Sequence, residues 1–208
     1  ALRREEAAQA DQFLPDRYVK GKCYNCGHEE AYGDQCEQCG VAIDPIKLIN
    51  PISTITGAKP VPRKTTHWYL KLHQFEDALS QWLESKRQGT TDSPAWRQAV
   101  LNFTLGQVNQ GLPERAMTRD IEWGVPVPLD DPDAVGKALY VWFDAPIGYV
   151  SFTSKLCEQL DGDWQQYQRW WKDPDCRIVH FIGEDNTVFH AMIWPAMLMA
   201  EGSYQLPW

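Results

Sequence analysis

Nowhere in these 208 residues do eighteen apolar side chains run together, and no charged-then-apolar leader opens the chain. The first absence excludes a transmembrane helix and the second a secretory signal, so the expectation is a soluble, cytoplasmic protein with no membrane partner. A basic surplus is missing as well. With 28 acidic against 20 basic residues the formal charge is −8, which excludes a surface that wraps nucleic acid non-specifically and leaves only local contact, or contact made by a part not present here. There is no G-x-G-x-x-G turn, so a nucleotide-dependent oxidoreductase on a doubly wound sheet is disfavoured. What is present suffices for a core. Apolar residues make up 43% and aromatics 12%, ten of them Trp, in a length that suits one large domain or two small ones.

The six cysteines divide unevenly. Cys157 and Cys176 stand alone, whereas Cys23, Cys26, Cys36 and Cys39 form C-x2-C-x9-C-x2-C. Each C-x-x-C turn aims two thiolates at one point, and a nine-residue hairpin joins the pairs into a tetrahedral set. Gly27 and Gly40, each directly after a second cysteine, suit the tight backbone of a zinc knuckle spanning about residues 20–42. Four thiolates leave no open position, so the expected role is structural. Zinc is the expected occupant, with iron in the same cage or two disulfides as alternatives. His28 lies close by, but the four cysteines already fill the shell.

Around that lobe, residues 1–12 are charged and helix-favouring without an apolar stripe or a preceding cap. A chain that starts inside a helix suggests a piece of something larger. Residues 41–72 are strand-like with Pro and Gly punctuation. Residues 74–88 predict a helix with Phe75, Leu79, Trp82 and Leu83 on one side. Asp92-Ser93-Pro94 reads as the cap and first-turn proline of a second helix, which carries Trp96, Val100 and Phe103 to about Gly111. Residues 112–129 form a connector rich in Pro and charge, in which Arg119 and Asp120 read as a surface pair. Plain core packing accounts for the aromatics up to this point.

The second half is organised around RIVHFIGEDNTVFHAMIWPAMLMAEG, residues 177–202. An apolar run at 178–182, broken only by His180, predicts a buried strand. Gly183-Glu184-Asp185-Asn186 is a polar turn, and a helix follows with Asn186 as N-cap, Pro195 as a kink and Gly202 as its stop. Residues 138–144, ALYVWFD, read as a second buried strand, after which Asp144 caps a helix entering Ala145-Pro146. The helical crossover at 154–175 is the length that a βαβ connection needs. Two strand-to-helix junctions in one sheet would bring Trp142, Tyr149 and His190 around one crevice. Asn186, His190 and Trp194 share a helix face at i, i+4 and i+8.

KALYVWFDAPIGYVS, HFIGEDNTVFHAMIWPAMLMAEG, FLPDRYVKGKC with its paired C-x-x-C, and RAMTRDIEWGVPVP together resemble the methionyl-tRNA synthetases, class I aminoacyl-tRNA synthetases, from about Phe13 onward. The resemblance implies an α/β fold: the second half of a Rossmann-like doubly wound parallel sheet (119–208), preceded by a connective-peptide insertion (1–118) carrying the zinc knuckle. It implies ATP-dependent activation of methionine to methionyl-adenylate, with Mg2+, and transfer to the 3′ end of tRNA(Met). No side chain would be a covalent nucleophile or an acid/base group, catalysis being positioning and electrostatic stabilisation. The matching methionine-pocket positions are Trp142, Ala145, Pro146, Tyr149, Asn186, His190 and, at the back wall, Trp194. Tyr149 and His190 would address the sulfur as weak donors. Asn186 departs from the apolar residue usual there. Gly183 and Asp185 match a ribose-binding turn, and Arg119 matches a residue facing ATP phosphates. The family's HIGH and KMSKS motifs are absent from these residues, so this chain alone is expected to be inactive. The competing expectation is a zinc-knuckle interaction module with an attached α/β domain.

Overall fold

The computed structural model describes residues 2–4, 13–41, 43–90 and 93–208. In chain order its strands are β1 (Leu2–Arg4), β2 (Phe13–Leu14), β3 (Val19–Lys22), β4 (Ala31–Tyr32), β5 (Ile49–Ser53), β6 (Pro60–Pro62), β7 (Tyr69–Leu70), β8 (Arg115–Ala116), β9 (Thr118–Arg119) and β10 (Ala138–Leu139). The helices are α1 (Glu76–Gln88), α2 (Gln98–Asn109), α3 (Val141–Asp144), α4 (Ile147–Asp161), α5 (Gln168–Trp171) and α6 (Trp194–Glu201). Packing yields two compact units, Ala1–His67 with Thr118–Ala138, and Trp68–Met117 with Leu139–Trp208. That division differs from the boundary at residue 118 expected from sequence, because α1 and α2 share a core with the C-terminal segment.

The first unit is built from short antiparallel strands in the orders β2-β1-β6 and β4-β3-β5. Gly21 lets β3 and β5 approach, since a Cβ there would lie 2.9 Å from the Ile49 carbonyl oxygen. The strand at Leu2–Arg4 replaces part of the helix expected for 1–12, and the remaining residues of that stretch lie outside the described ones. The apolar cluster is small: Leu14, Val19, Ala31, Ile43 and Leu48, together with Cys23 and Cys36.

A polar network accompanies it. Lys137 Nζ donates to Asp120 Oδ1 and, at 2.7 Å, to Thr65 Oγ1; His67 Nε2 lies 3.2 Å from Asp120 Oδ2, and its Nδ1 2.9 Å from Thr118 Oγ1. Burial holds the His67 imidazole below its usual range, against the pull of Asp120. Arg119 pairs with Asp16 at 3.2 Å. Arg119 and Asp120 are thus not a surface pair; each has its own partners in half-buried surroundings.

The second unit is mainly helical. Leu79 and Leu83 of α1 pack with Leu101, Leu105 and Val108 of α2, and with Phe143, Met192, Ile193 and Ala196. The expected face of α1 is therefore the buried one, and Phe75 and Trp82 flank it. Gly89 turns the chain after α1 with φ 67°, where a Cβ would meet the Ala95 nitrogen at 2.6 Å. The helix cap expected at 92–94 does not form. Ser93 bridges Thr90, α2 starts only at Gln98 without a side-chain cap, and Asp92 lies outside the described residues.

The two expected buried strands are also corrected. Only Ala138–Leu139 is strand, paired with β9, while Val141–Asp144 closes into a helical turn with Ala145 N–H donating to the Val141 carbonyl at 2.8 Å. Asp144 lies within that turn and caps nothing; its Oδ1 is buried without a hydrogen-bond partner. Residues 178–182 run without strand pairing, leaving Val179 53% and Phe181 95% exposed. A strand buried on both faces needs neighbours on both edges. Among the described residues none pairs with 178–182, so the backbone polar groups go elsewhere, as where Trp208 N–H reaches the Ile178 carbonyl at 2.8 Å. No described helix is long and apolar enough to cross a membrane.

Candidate functional site

The four clustered cysteines form a cage. Cys23, Cys26, Cys36 and Cys39 bring their sulfurs within 4.8 Å of one another, with Cys26–Cys36 at 3.6 Å and Cys23–Cys39 at 3.9 Å. Sulfurs placed 2.3 Å from one ion at tetrahedral corners lie about 3.8 Å apart, so the spacing fits a metal. It does not fit the disulfide alternative, since all four thiols are free.

The two C-x-x-C turns are built alike. Gly27 N–H donates to the Cys23 carbonyl at 3.0 Å and Gly40 N–H to the Cys36 carbonyl at 2.8 Å, with φ of 79° and 71°. The left-handed backbone is what glycine tolerates and other residues resist, which explains both positions. Asn25 supports the sulfurs through its backbone N–H on Cys23 Sγ at 3.4 Å and its side-chain amide on Cys39 Sγ at 3.6 Å. That amide, with the Val41 N–H, brings the Cys39 thiol down to about 6, whereas Cys26, against its hydrogen bond from the His28 backbone, is pushed up to about 12 by burial and the neighbouring cysteines. His28 uses its carbonyl to accept from Cys23 N–H at 2.7 Å and takes no place in the cluster.

In the second unit the chain turns at Gly183. A Cβ there would lie 2.7 Å from Asp185 Oδ1, so glycine lets the carboxylate fold back over the backbone. Glu184–Asn186 is a single 3-10 turn, and the path continues through a π-helical segment, Phe189–Ile193, into α6. Asn186 is not an N-cap; it sits inside this turn, and its side-chain amide donates to Asp185 Oδ1 at 3.4 Å. The expected kink at Pro195 takes the form of that π segment, since proline has no N–H to continue the α ladder. Gly202 ends α6 as expected, with φ 84°.

The turn delivers His190 to Tyr149 of α4. Tyr149 Oη lies 2.9 Å from His190 Nε2, and His190 Nδ1 lies 3.1 Å from the Asn186 carbonyl oxygen. A carbonyl only accepts, so Nδ1 carries a proton; in the neutral imidazole Nε2 is then bare and the tyrosine hydroxyl donates to it. Both groups have hydrogen-bond partners within the protein.

Trp142 is 42% exposed and packs on Phe189, ring centroids 5.4 Å apart. Pro146 is buried and Ala145 exposed at the entry to α4. Trp194 instead joins an apolar cluster with Trp171 and Leu198, its Nε1 buried without a partner. Gly183 and Asp185 are exposed. A groove of about 930 Å³ runs along this segment, lined by Trp96, Phe103, Val179, Phe181, His180 and His190 among others. Arg119 belongs to the first unit.

Sequence reasoning missed His180, a neighbour of the pair, and Phe189, which packs on Trp142. His180 packs against both Tyr149 and His190, with centroids 5.3 and 5.1 Å away. Its signal was legible as the one polar residue interrupting an apolar run. Burial, and then the nearby His190, push its imidazole down to about 4.

The chain as a whole has relatives among known proteins. The chain belongs to the class I tRNA synthetases, matching over residues 6–208 the family described as tRNA synthetases class I (M). Its relatives are more particular. The methionine–tRNA ligase of Parabacteroides distasonis is 50% identical over 199 residues, covering 96% of this chain and 27% of the relative. That of Bacteroides fragilis is 51% identical over the same length and shares. The structure of Mycobacterium tuberculosis methionyl-tRNA synthetase in complex with methionyl-adenylate matches with a TM-score of 0.54 and 26% identity, over 76% of this chain and 28% of that one. The apo form of the same enzyme, at 23% identity, shares the fold over 91% of this chain and 33% of its own, with a TM-score of 0.56. This chain therefore spans about a quarter of the length of the curated relatives it matches.

Proposed function

We propose that these residues are the central part of a methionine–tRNA ligase, which joins methionine to ATP as methionyl-adenylate and passes it to the 3′ end of tRNA(Met). The observation that carries the reading is the Tyr149–His190 hydrogen bond set at the Gly183–Asp185 turn, in a chain of this family. Trp142, Ala145, Pro146, Tyr149, Asn186 and His190 line the methionine side-chain pocket, with Trp194 behind them. The thioether meets aromatic edges, which suit its polarizable sulfur. Gly183 and Asp185 hold the ATP ribose, where an open backbone and a carboxylate meet vicinal hydroxyls, and Arg119 faces the phosphates with Mg2+. Asn186 makes one edge of the pocket more polar than the apolar residue usual there.

In the full-length protein Ala138–Leu139 and the segment 178–182 join a Rossmann-type parallel sheet whose further strands lie outside these residues. The exposed, unpaired apolar side chains of 178–182 support this. Residues 1–118 are the connective-peptide insertion. Cys23, Cys26, Cys36 and Cys39 hold a structural zinc ion; four sulfurs near 3.8 Å spacing and the N–H···S bonds from Asn25 support that assignment. The protein works in the cytoplasm.

The deciding experiment is methionine-dependent ATP–pyrophosphate exchange by the full-length protein. Exchange with methionine and none with leucine or valine is expected, and a full-length protein inert toward methionine overturns the reading. The 208-residue chain alone is expected to show no exchange, because the ATP motifs that stabilise the developing phosphate charge are not in it, a contribution of about 3–4 kcal/mol per donor group in comparable sites.

A further inference from the structure

A histidine inside an apolar segment carries a cost, and at His180 it falls on Nε2, which is buried and has no hydrogen-bond partner. The geometry around it is specific. His180 stands edge-on to His190, centroids 5.1 Å apart at 65°, and tilted against Tyr149 at 5.3 Å and 42°. Tyr149 and His190 are themselves 5.8 Å apart at 49°, so the three rings close a triangle.

Within it the protons have one order, Tyr149 to His190 Nε2 and His190 Nδ1 to the Asn186 carbonyl. Among the described residues no ion pair reaches any of the three rings; Glu184 and Asp185 are exposed on the turn, and Asp144, five residues before Tyr149, is half-buried with its Oδ1 unpartnered. The arrangement holds only while the triangle is uncharged. Were Nε2 of His190 protonated, it would become a donor and the tyrosine bond would reverse.

We propose that His180 is a positioning residue for the Tyr149–His190 pair. Its uncharged ring locks both side chains in this proton order and keeps that end of the crevice free of formal charge. The site so defined selects a neutral, polarizable side chain and rejects a charged one, whose partner would have to be built from these rings. The selectivity part rests on the reading of this crevice as the methionine pocket; the proton order does not. A replacement that keeps the ring and loses the nitrogens preserves the device, whereas a carboxylate about 5 Å from His190 favours the imidazolium and undoes it.

The test uses the full-length protein with His180→Ala, His180→Phe and His180→Glu, read by the 15N signals of the His190 ring and by the KM for methionine and for ATP. His180→Ala is expected to raise the methionine KM about fivefold and His180→Phe to recover it to within about twofold. His180→Glu is expected to raise it about tenfold or more, to leave the ATP KM within about twofold, and to move His190 Nε2 from a bare to a protonated signal at pH 7. The proposal is overturned if His180→Glu leaves the His190 signal unchanged, or if His180→Phe does as much harm as His180→Glu. Should Tyr149→Phe and His190→Ala leave the methionine KM untouched, the pocket reading fails and the selectivity claim with it. The proton order would still be decided by the ring signals, which need no substrate.

Discussion

The two units reach order by different means. The second buries whole leucines, Leu72, Leu79, Leu83 and Leu101, in the core of α1, α2 and the 189–201 helical segment. The first has strands of two to five residues and a cluster of seven buried side chains, two of which are cage cysteines. A core of Leu14, Val19, Ala31, Ile43 and Leu48 is too slight to offset the entropy of ordering so many turns and loops. The comparison teaches where each unit is vulnerable, one through its cysteine cage and the other through its packing.

The largest expected effect follows from the cage. Structural zinc contributes on the order of 10 kcal/mol to small lobes of this kind, so Cys36→Ala or chelation should abolish one metal equivalent per chain. Amide exchange should then show residues 19–43 losing protection while α1, α2 and α6 keep theirs. Retained protection at 19–43 after chelation would break the contrast between the units. Leu83→Ala should do the opposite. It empties a fully buried site in the second unit and should cost about 2–5 kcal/mol by urea unfolding, with the metal content unchanged.

A smaller effect comes from pH. The folded protein holds His180 neutral down to about 4, against an ordinary 6.5, so on acidification the unfolded chain takes up the proton first. Stability should therefore be level above pH 7 and fall between about 6.5 and 4. With the ring partly reached by solvent, the loss attributable to His180 is about 1–2 kcal/mol. His67 in the first unit is shifted in the same direction, so His180→Phe is needed to isolate the term; an unchanged pH slope in that variant would show the burial is not felt.

The smallest effects separate the two ends of the turn. In the full-length protein His190→Ala should raise the methionine KM about fivefold, roughly 1 kcal/mol, and barely alter that for ATP. Asp185→Ala should raise the ATP KM and spare methionine. Equal impairment of both substrates by both variants would dissolve the division of roles along residues 183–190.

Much of this was legible because it is local. The C-x2-C-x9-C-x2-C spacing, with a glycine after each pair, dictates a cage whatever surrounds it, and the structure closes it at metal-compatible distances. The 3.6-residue period of Leu79 and Leu83 chose the buried face of α1, and Gly202 ended α6 where a left-handed residue was needed. Local signals failed where several backbone solutions compete. Pro94 did not open α2, and Asn186 did not cap, because the chain was already turning at Gly183.

What the sequence alone determined, then, is the set of ligands, the helix faces and the family motifs, all of which depend on spacing along the chain. Tertiary structure decided the rest. Strand pairing needs a neighbour, so the apolar runs at 138–144 and 178–182 carry strand-like composition without forming the long strands it suggests. Forty-one residues separate Tyr149 from His190, yet only the fold sets their atoms 2.9 Å apart, fixes which of them donates, and stands His180 against both. No periodicity encodes that, because the direction of a hydrogen bond depends on every group that the folded chain brings to it.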